Sequence, residues 1–259
     1  MKNFILRLSC ALLVCTTLLG CQSHVVRPSG ADMAAFGVVV DPETREWQTD
    51  NDIARTLELV PLARFPTALA VVRVQGAAPH SRSGGVSYGR GAYRVVLTPT
   101  VETDTHLQQI GGLDEVTGIV RLNRLVLGQQ LKTDKELRNA AARLHADLLL
   151  VYTINTEWTI DEDPKPLNSI TFGLSRFKNI TVTSTATALL LGTHNGFVYA
   201  TSEVTREKKY KDNAWRNSEQ IEEAQEQLEQ QAFDGLVESF TDSWPQVLRV
   251  YTTSPEAQR

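Results

Sequence analysis

The stretch Thr133-Asp134-Lys135-Glu136-Leu137-Arg138-Asn139-Ala140-Ala141-Ala142-Arg143-Leu144-His145-Ala146-Asp147-Leu148-Leu149-Leu150-Val151 decides how this chain folds. Thr133 and Glu136 stand at capping-box spacing, in which the hydroxyl accepts from an orphan amide and the carboxylate accepts from the amide of the cap. A helix therefore starts here. Leu137, Ala140, Ala141 and Leu144 recur every three or four residues, and His145 closes the helix at the negative end of its dipole. Ala146-Asp147 then leads into a run that is apolar on both faces, which predicts an interior strand with cover above and below.

Beyond Val151 the pattern alternates. Tyr152, Ile154, Thr156, Trp158 and Ile160 fall on one side and Thr153, Asn155, Glu157 and Thr159 on the other, so the far end of the strand is expected to have one wet face. A second strand over residues 180–191 places Thr181, Thr183, Thr185 and Thr187 on a single face. Asn195-Gly196 can supply two positive φ angles for a tight turn, and residues 197–205 return as the partner strand. On that reading Leu189 and Leu191 share a face with Val198, Ala200 and Val204.

Upstream, residues 67–74 and 93–97 read as strands, residues 53–60 as a short helix before Pro61, residues 107–113 as one or two helical turns, and residues 119–127 as the strand before the capped helix. Downstream, Asn217-Ser218-Glu219-Gln220 offers another helix start. Ile221, Ala224, Leu228, Ala232, Leu236, Phe240 and Trp244 form a stripe, and acidic residues load the other positions. Pro245 is expected to kink or end this acidic amphipathic helix, 217–244. The stripe must be buried, and the reading assigns it to the helix's own sheet. The acidic positions are left to face solvent or a basic partner. The resulting fold class is α/β or α+β: a mixed β-sheet packed by helices, in a single domain over residues 51–259.

The amino terminus reads differently. Lys2 and Arg7 precede an apolar run over residues 8–19 that is too short for a spanning helix and fits a secretory signal, 1–20. Leu18-Leu19-Gly20-Cys21 resembles a bacterial lipobox. The resemblance implies cleavage after Gly20, acylation of Cys21 and attachment to membrane through the acyl chains. Gln22 replaces the aspartate that retains enterobacterial lipoproteins in the inner membrane, which by the same resemblance points to the outer membrane, facing the periplasm. Residues 21–50 are read as a lipidated tether, with Phe36-Gly37-Val38-Val39-Val40 as an apolar knot able to dock on the body.

Of three cysteines, Cys10 and Cys15 lie in the leader, so a processed chain keeps only the lipidated Cys21. Disulfides, zinc knuckles and thiol catalysis are then excluded together. The net charge of −4 becomes more negative without Lys2 and Arg7, and an acidic protein is a poor match for nucleic acid. No cofactor or metal is expected, since no two of the five histidines stand at i, i+4 spacing. His24, His80 and His106 fall in predicted loops. Trp158, Trp215 and Trp244 read as packing anchors, and Arg206, Lys208, Lys209 and Lys211 as a small basic patch.

Gly85-Val86-Ser87-Tyr88-Gly89 matches the nucleophile pattern G-x-S-x-G, but it follows a loop and precedes a strand, whereas a nucleophile elbow joins strand to helix. The reading is a glycine-rich loop over residues 76–91, with no catalytic residue. Asp161-Glu162-Asp163-Pro164 reads as a solvated turn rather than a calcium loop, for want of the glycine and terminal glutamate.

The run from Leu137 through Thr153, with Thr187-Ala188-Leu189-Leu190-Leu191 and Asn195-Gly196-Phe197-Val198-Tyr199, resembles bacterial rhombotarget lipoproteins. More remotely it is similar to the periplasmic α/β module of the curli-secretion lipoprotein, penicillin-binding-protein activator lipoproteins and the amino-terminal domain of the Tol-system propeller protein. The resemblance covers residues 119–205 and brings no activity with it. The remote relatives bind other envelope proteins, which implies a non-enzymatic lipoprotein with an envelope protein partner. A serine hydrolase using Ser87, and a periplasmic small-ligand module closed by the 76–91 loop, are the alternatives.

Overall fold

A computed structural model describes residues 24–26, 30–31, 50–77, 86–98, 101–162, 177–213 and 218–252. In chain order these form β1 (His24–Val26), α1 (Asp50–Leu57), β2 (Thr67–Gly76), β3 (Ser87–Tyr88), β4 (Arg90–Gly91), β5 (Tyr93–Val96) and α2 (Asp104–Gly111). There follow β6 (Val116–Arg121), β7 (Gln130–Leu131), α3 (Asp134–Arg143), β8 (Leu148–Glu162), β9 (Phe177–Gly192), β10 (Val198–Asn213) and α4 (Ser218–Thr252). Eight strands make one mixed sheet in the order β10-β9-β8-β2-β5-β3, with β1 beside β8 and β6 beside β2. β2 runs parallel to β6 and β8, and the other pairings in this sheet are antiparallel.

The sheet has a core on each side. Leu148 and Leu150 project toward α4 and meet Phe233, Leu236, Phe240 and Trp244, whereas Leu149 and Val151 project toward α3 and meet Leu137, Ala140 and Ala141. The both-faces-apolar run of β8 is thus covered above and below, as its sequence predicts. The stripe of α4 covers its own sheet, with Ala224, Leu228, Ala232, Leu236, Phe240 and Trp244 all buried. Burial of each large apolar side chain contributes about 1.5–3 kcal/mol relative to exposure. On the outer face of β9, Thr185 meets Thr205 across the strands at 2.9 Å, and Thr187 donates to Glu203.

The capping box forms as read. The Thr133 hydroxyl accepts from the Lys135 amide, and the Thr133 amide donates to Glu136 Oε2 at 2.9 Å. Burial opposes ionisation of Glu136, but its hydrogen bonds from Thr133 outweigh that and hold the carboxyl below its ordinary value. At the other end His145 takes a left-handed φ of 56°, and the Ala146 and His145 amides reach back to Ala141 O and Ala142 O. This is a Schellman ending with histidine in the glycine position.

Several expectations are corrected. The strand placed at residues 119–127 is β6, which begins at Val116 and ends at Arg121; residues 123–127 turn instead, closed by the Leu127 amide on Asn123 O. The β9–β10 loop has five residues, 193–197, and Gly196 alone takes positive φ, at 77°. A bulge between Val198 and Ala200 then shifts register, so Ala200 lies opposite Leu190 and Val204 opposite Ala186, on the α4 side rather than with Leu189 and Leu191. The extra residue, Tyr199, is buried and its hydroxyl accepts from the Ala63 amide at 2.8 Å. β10 also runs on through the basic patch to Asn213.

Pro245 does not end the last helix, which continues to Thr252 instead of stopping at 244. A helix-interior proline costs about 3 kcal/mol, and what offsets it lies on either side. Trp244 is 1% exposed and donates to Asp114 O, and beyond the proline Val247 is buried and Tyr251 sets its ring against Tyr199 and Phe197. The proline itself faces solvent. The tether expectation also changes, because β1 extends the sheet beside residues 158–160 and Ala31 is buried where its amide donates to Thr153. The knot at residues 36–40 lies outside the described residues.

Candidate functional site

A charged group inside an apolar strand must find partners, since an unpaired buried charge is costly. Arg73 is that case. It interrupts Ala70-Val71-Val72-Arg73-Val74 in β2, projects to the α4 side, and is 4% exposed. Its Nη1 lies 3.3 Å from Glu102 Oε1 and its Nη2 lies 3.8 Å from Glu229 Oε2 on α4. The Tyr152 hydroxyl of β8 donates to the same Glu102 oxygen at 2.8 Å. Thr156 and Gln225 both donate to Glu229 Oε1, at 3.0 and 2.7 Å. One cation thus holds two buried carboxylates, each with further donors. Burial, and then the Glu102 charge, push the Tyr152 phenol well above its ordinary pKa.

Over this network opens a cleft of about 340 Å³. Its position follows from the strand pairing. β2 is flanked by β6 up to the pair Val71–Arg121 and by β5 from the pair Arg73–Val96 onward. The two strands come to the middle of β2 from opposite directions and end there, each by its carboxyl end. The chain then leaves β5 through Val101 and α2 into the core on the α4 side, and leaves β6 through Leu122 and Leu127 into the core on the α3 side. A crevice forms where the two exits diverge. Arg73, Glu102 and Tyr152 form its charged and polar floor, Val96, Leu97 and Leu122 its apolar walls, and Arg121, Asn123 and Arg124 its rim.

The sequence singles out none of these residues. The available signal is one arginine inside an apolar strand. Glu229, which the sequence groups with the acids on the outer positions of the last helix, is buried instead, beside Leu228, where Thr156 and Gln225 donate to it.

The residues the sequence does single out are not gathered here. Ser87 lies in the short edge strand β3, opposite Val96, and is not at a strand-to-helix turn. Among the described residues the non-glycine positive φ angles belong to Glu115 and His145, so Ser87 is not held in elbow geometry. Gly89 and Gly91 have a packing role. Both take positive φ, and a Cβ on Gly91 would stand 2.2 Å from Leu131 O, where β4 pairs with β7. Part of the expected loop is therefore strand, and residues 78–85 lie outside the described residues.

His106, expected in a loop, is in α2, where Nδ1 accepts from the Thr103 amide and Nε2 lies 3.0 Å from Asp234. His24 is in β1. Cys21, His80 and Trp215 lie outside the described residues, as do Asp163 and Pro164; Asp161 and Glu162, expected in a turn, instead continue β8 opposite Asn179 and Lys178. Among the described residues no cluster of histidine and carboxylate side chains could hold a metal ion, and no helix is long and apolar enough to cross a membrane.

No family model matches the sequence, and no curated protein matches it. Among solved structures it is similar to the crystal structure of protein XCC0632 from Xanthomonas campestris, family DUF330. The two are 15% identical over 72% of this chain and 90% of that one, with a TM-score of 0.33. A likeness this slight carries no argument about function.

Proposed function

We propose that this protein is a non-enzymatic outer-membrane lipoprotein, held by acyl chains on Cys21 and facing the periplasm, that binds or assembles cell-envelope components. The observation that favours binding over turnover is the commitment to one another of the charged groups at the floor of the cleft and of Glu229 behind it. Arg73, Glu102, Glu229 and Tyr152 are mutually paired and buried, an arrangement that fixes a shape and a charge. The lipobox-like sequence Leu18-Leu19-Gly20-Cys21 supports the address. The exposed acids of α4, Glu223, Glu226, Asp234, Glu238 and Asp242, offer a face to a basic partner.

Cys21→Ser should release the protein from membranes, because each buried methylene of the acyl chains contributes about 0.8 kcal/mol. Fractionation and the mass of the amino-terminal peptide read this, and crosslinking in native membranes reads the partner. A wild-type peptide without acyl mass would overturn the anchor. Labelling by a fluorophosphonate that disappears in Ser87→Ala would overturn the non-enzymatic reading.

A further inference from the structure

We infer that the cleft between the ends of β5 and β6 is a binding site for a small anion, a carboxylate or phosphate monoester carried on a short body. The inference deepens the binding role proposed above by naming a ligand class. Charge comes first. The cleft is lined by Arg73, Arg121, Arg124 and Glu102, and Glu229 pairs with Arg73 behind the floor, in a protein whose overall charge is −4. Three cations against these two carboxylates leave a local positive excess of about one charge, carried by the rim, that opposes the sign of the whole molecule.

The arginines also divide by role. Arg73 is buried and spoken for by Glu102 and Glu229, so it sets the floor. Arg121 and Arg124 are exposed, and their side chains make no ion pair or hydrogen bond among the described residues. Arg121 stands opposite Val71 in the β2–β6 pairing, which puts it on the same face as Arg73. Guanidinium groups offer forked donors that match carboxylate and phosphate oxygens.

Topology supplies the second line of argument. In open α/β sheets, ligands occupy the crevice outside the carboxyl ends of strands where neighbouring connections leave toward opposite faces. Here the crevice has a related origin: β5, antiparallel to β2, and β6, parallel to it, run toward each other along one edge of β2, end at one place, and send their exits into opposite cores. The volume of about 340 Å³ sits at the lower end of the range for small-molecule sites, about 300–1,000 Å³. Val96, Leu97 and Leu122 would contact the uncharged part of the ligand, and Thr98 and Asn123 can hydrogen-bond to it.

Titration calorimetry on the full-length protein in neutral detergent tests this with N-acetylalanine as the carboxylate probe and glycerol 3-phosphate as the phosphate probe. At least one should bind saturably at one site per chain, and the stronger identifies the headgroup. The double variant Arg121→Gln/Arg124→Gln, altered only at exposed positions, should weaken it at least tenfold. Lys208→Gln/Lys209→Gln, with the same loss of charge on distant β10, should leave it unchanged. The inference is overturned if neither probe saturates or if the two double variants weaken binding equally. Either failure leaves Cys21 acylation and partner crosslinking untouched. Release of inorganic phosphate from glycerol 3-phosphate would instead keep the site and overturn the non-enzymatic reading.

Discussion

Two groups of positive charge in this molecule differ in how they are built. Arg206, Lys208 and Lys209 are close in sequence, and the fold strings them along the exposed edge strand β10. Charged residues on such an edge deter another chain from pairing with it. Arg73, Arg121 and Arg124 are scattered across β2 and the end of β6, yet they line one cleft. Proximity in sequence produced a solvated edge, whereas proximity in space was made by strand pairing. The energetic stakes differ as well, because the first group keeps its water and Arg73 has lost it.

The largest expected effect follows from that loss. Arg73→Ala leaves Glu102 and Glu229 buried without their shared cation, and breaking a buried pair in this way costs about 3–5 kcal/mol. Urea denaturation should show that loss, or the variant should fail to accumulate folded. A cost below about 1 kcal/mol would mean that water enters the floor of the cleft and that its charges resemble those of the edge.

Tyr152→Phe should cost less, about 1.5–3 kcal/mol, the contribution of one hydrogen bond to a charged acceptor. Its pH dependence has a definite sign. The phenol's pKa is raised in the fold, so its contribution is intact below the unfolded value of about 10 and is lost as pH rises above it toward the folded value. The wild-type advantage over Tyr152→Phe should therefore shrink by about 1.4 kcal/mol per pH unit above that point. Denaturation between pH 7 and 11 measures it. A constant difference would place Tyr152 in water and weaken the contrast between cleft and edge.

What could be read from the sequence divides along the same line. Local signals were legible: the Thr133–Glu136 capping box, the doubly buried start of β8, the threonine row of β9 and the stripe of α4 all depend on neighbours within a few residues. The β9–β10 register was not, because the bulge at Tyr199 is fixed by its hydrogen bond to Ala63, far away in the chain. The length of α4 escapes the sequence for a like reason. Packing of Val247 and Tyr251 outweighs a local rule about Pro245. The cleft draws on β2, β5, β6, β8 and the segment before α2, and no window of sequence contains it. Only Arg73 within an apolar strand announces a need for distant partners.

The smallest effect is expected at the edge. Lys209 is paired with Glu207 at 3.2 Å, but their side chains are 76% and 49% exposed, so water already screens both charges. Lys208 lies over the Tyr210 ring at 5.2 Å, a contact that solvent weakens in the same way. Lys208→Gln/Lys209→Gln should change unfolding free energy by no more than about 0.5 kcal/mol per site, as surface substitutions usually do. The variant should nonetheless self-associate more readily, because the charges that deter edge-to-edge pairing are reduced while every buried contact is kept. Sedimentation across a concentration series reads the association, and thermal unfolding at one low concentration reads the stability. A loss of several kcal/mol with no change in association would reverse the contrast, giving the edge a structural role that its exposure argues against.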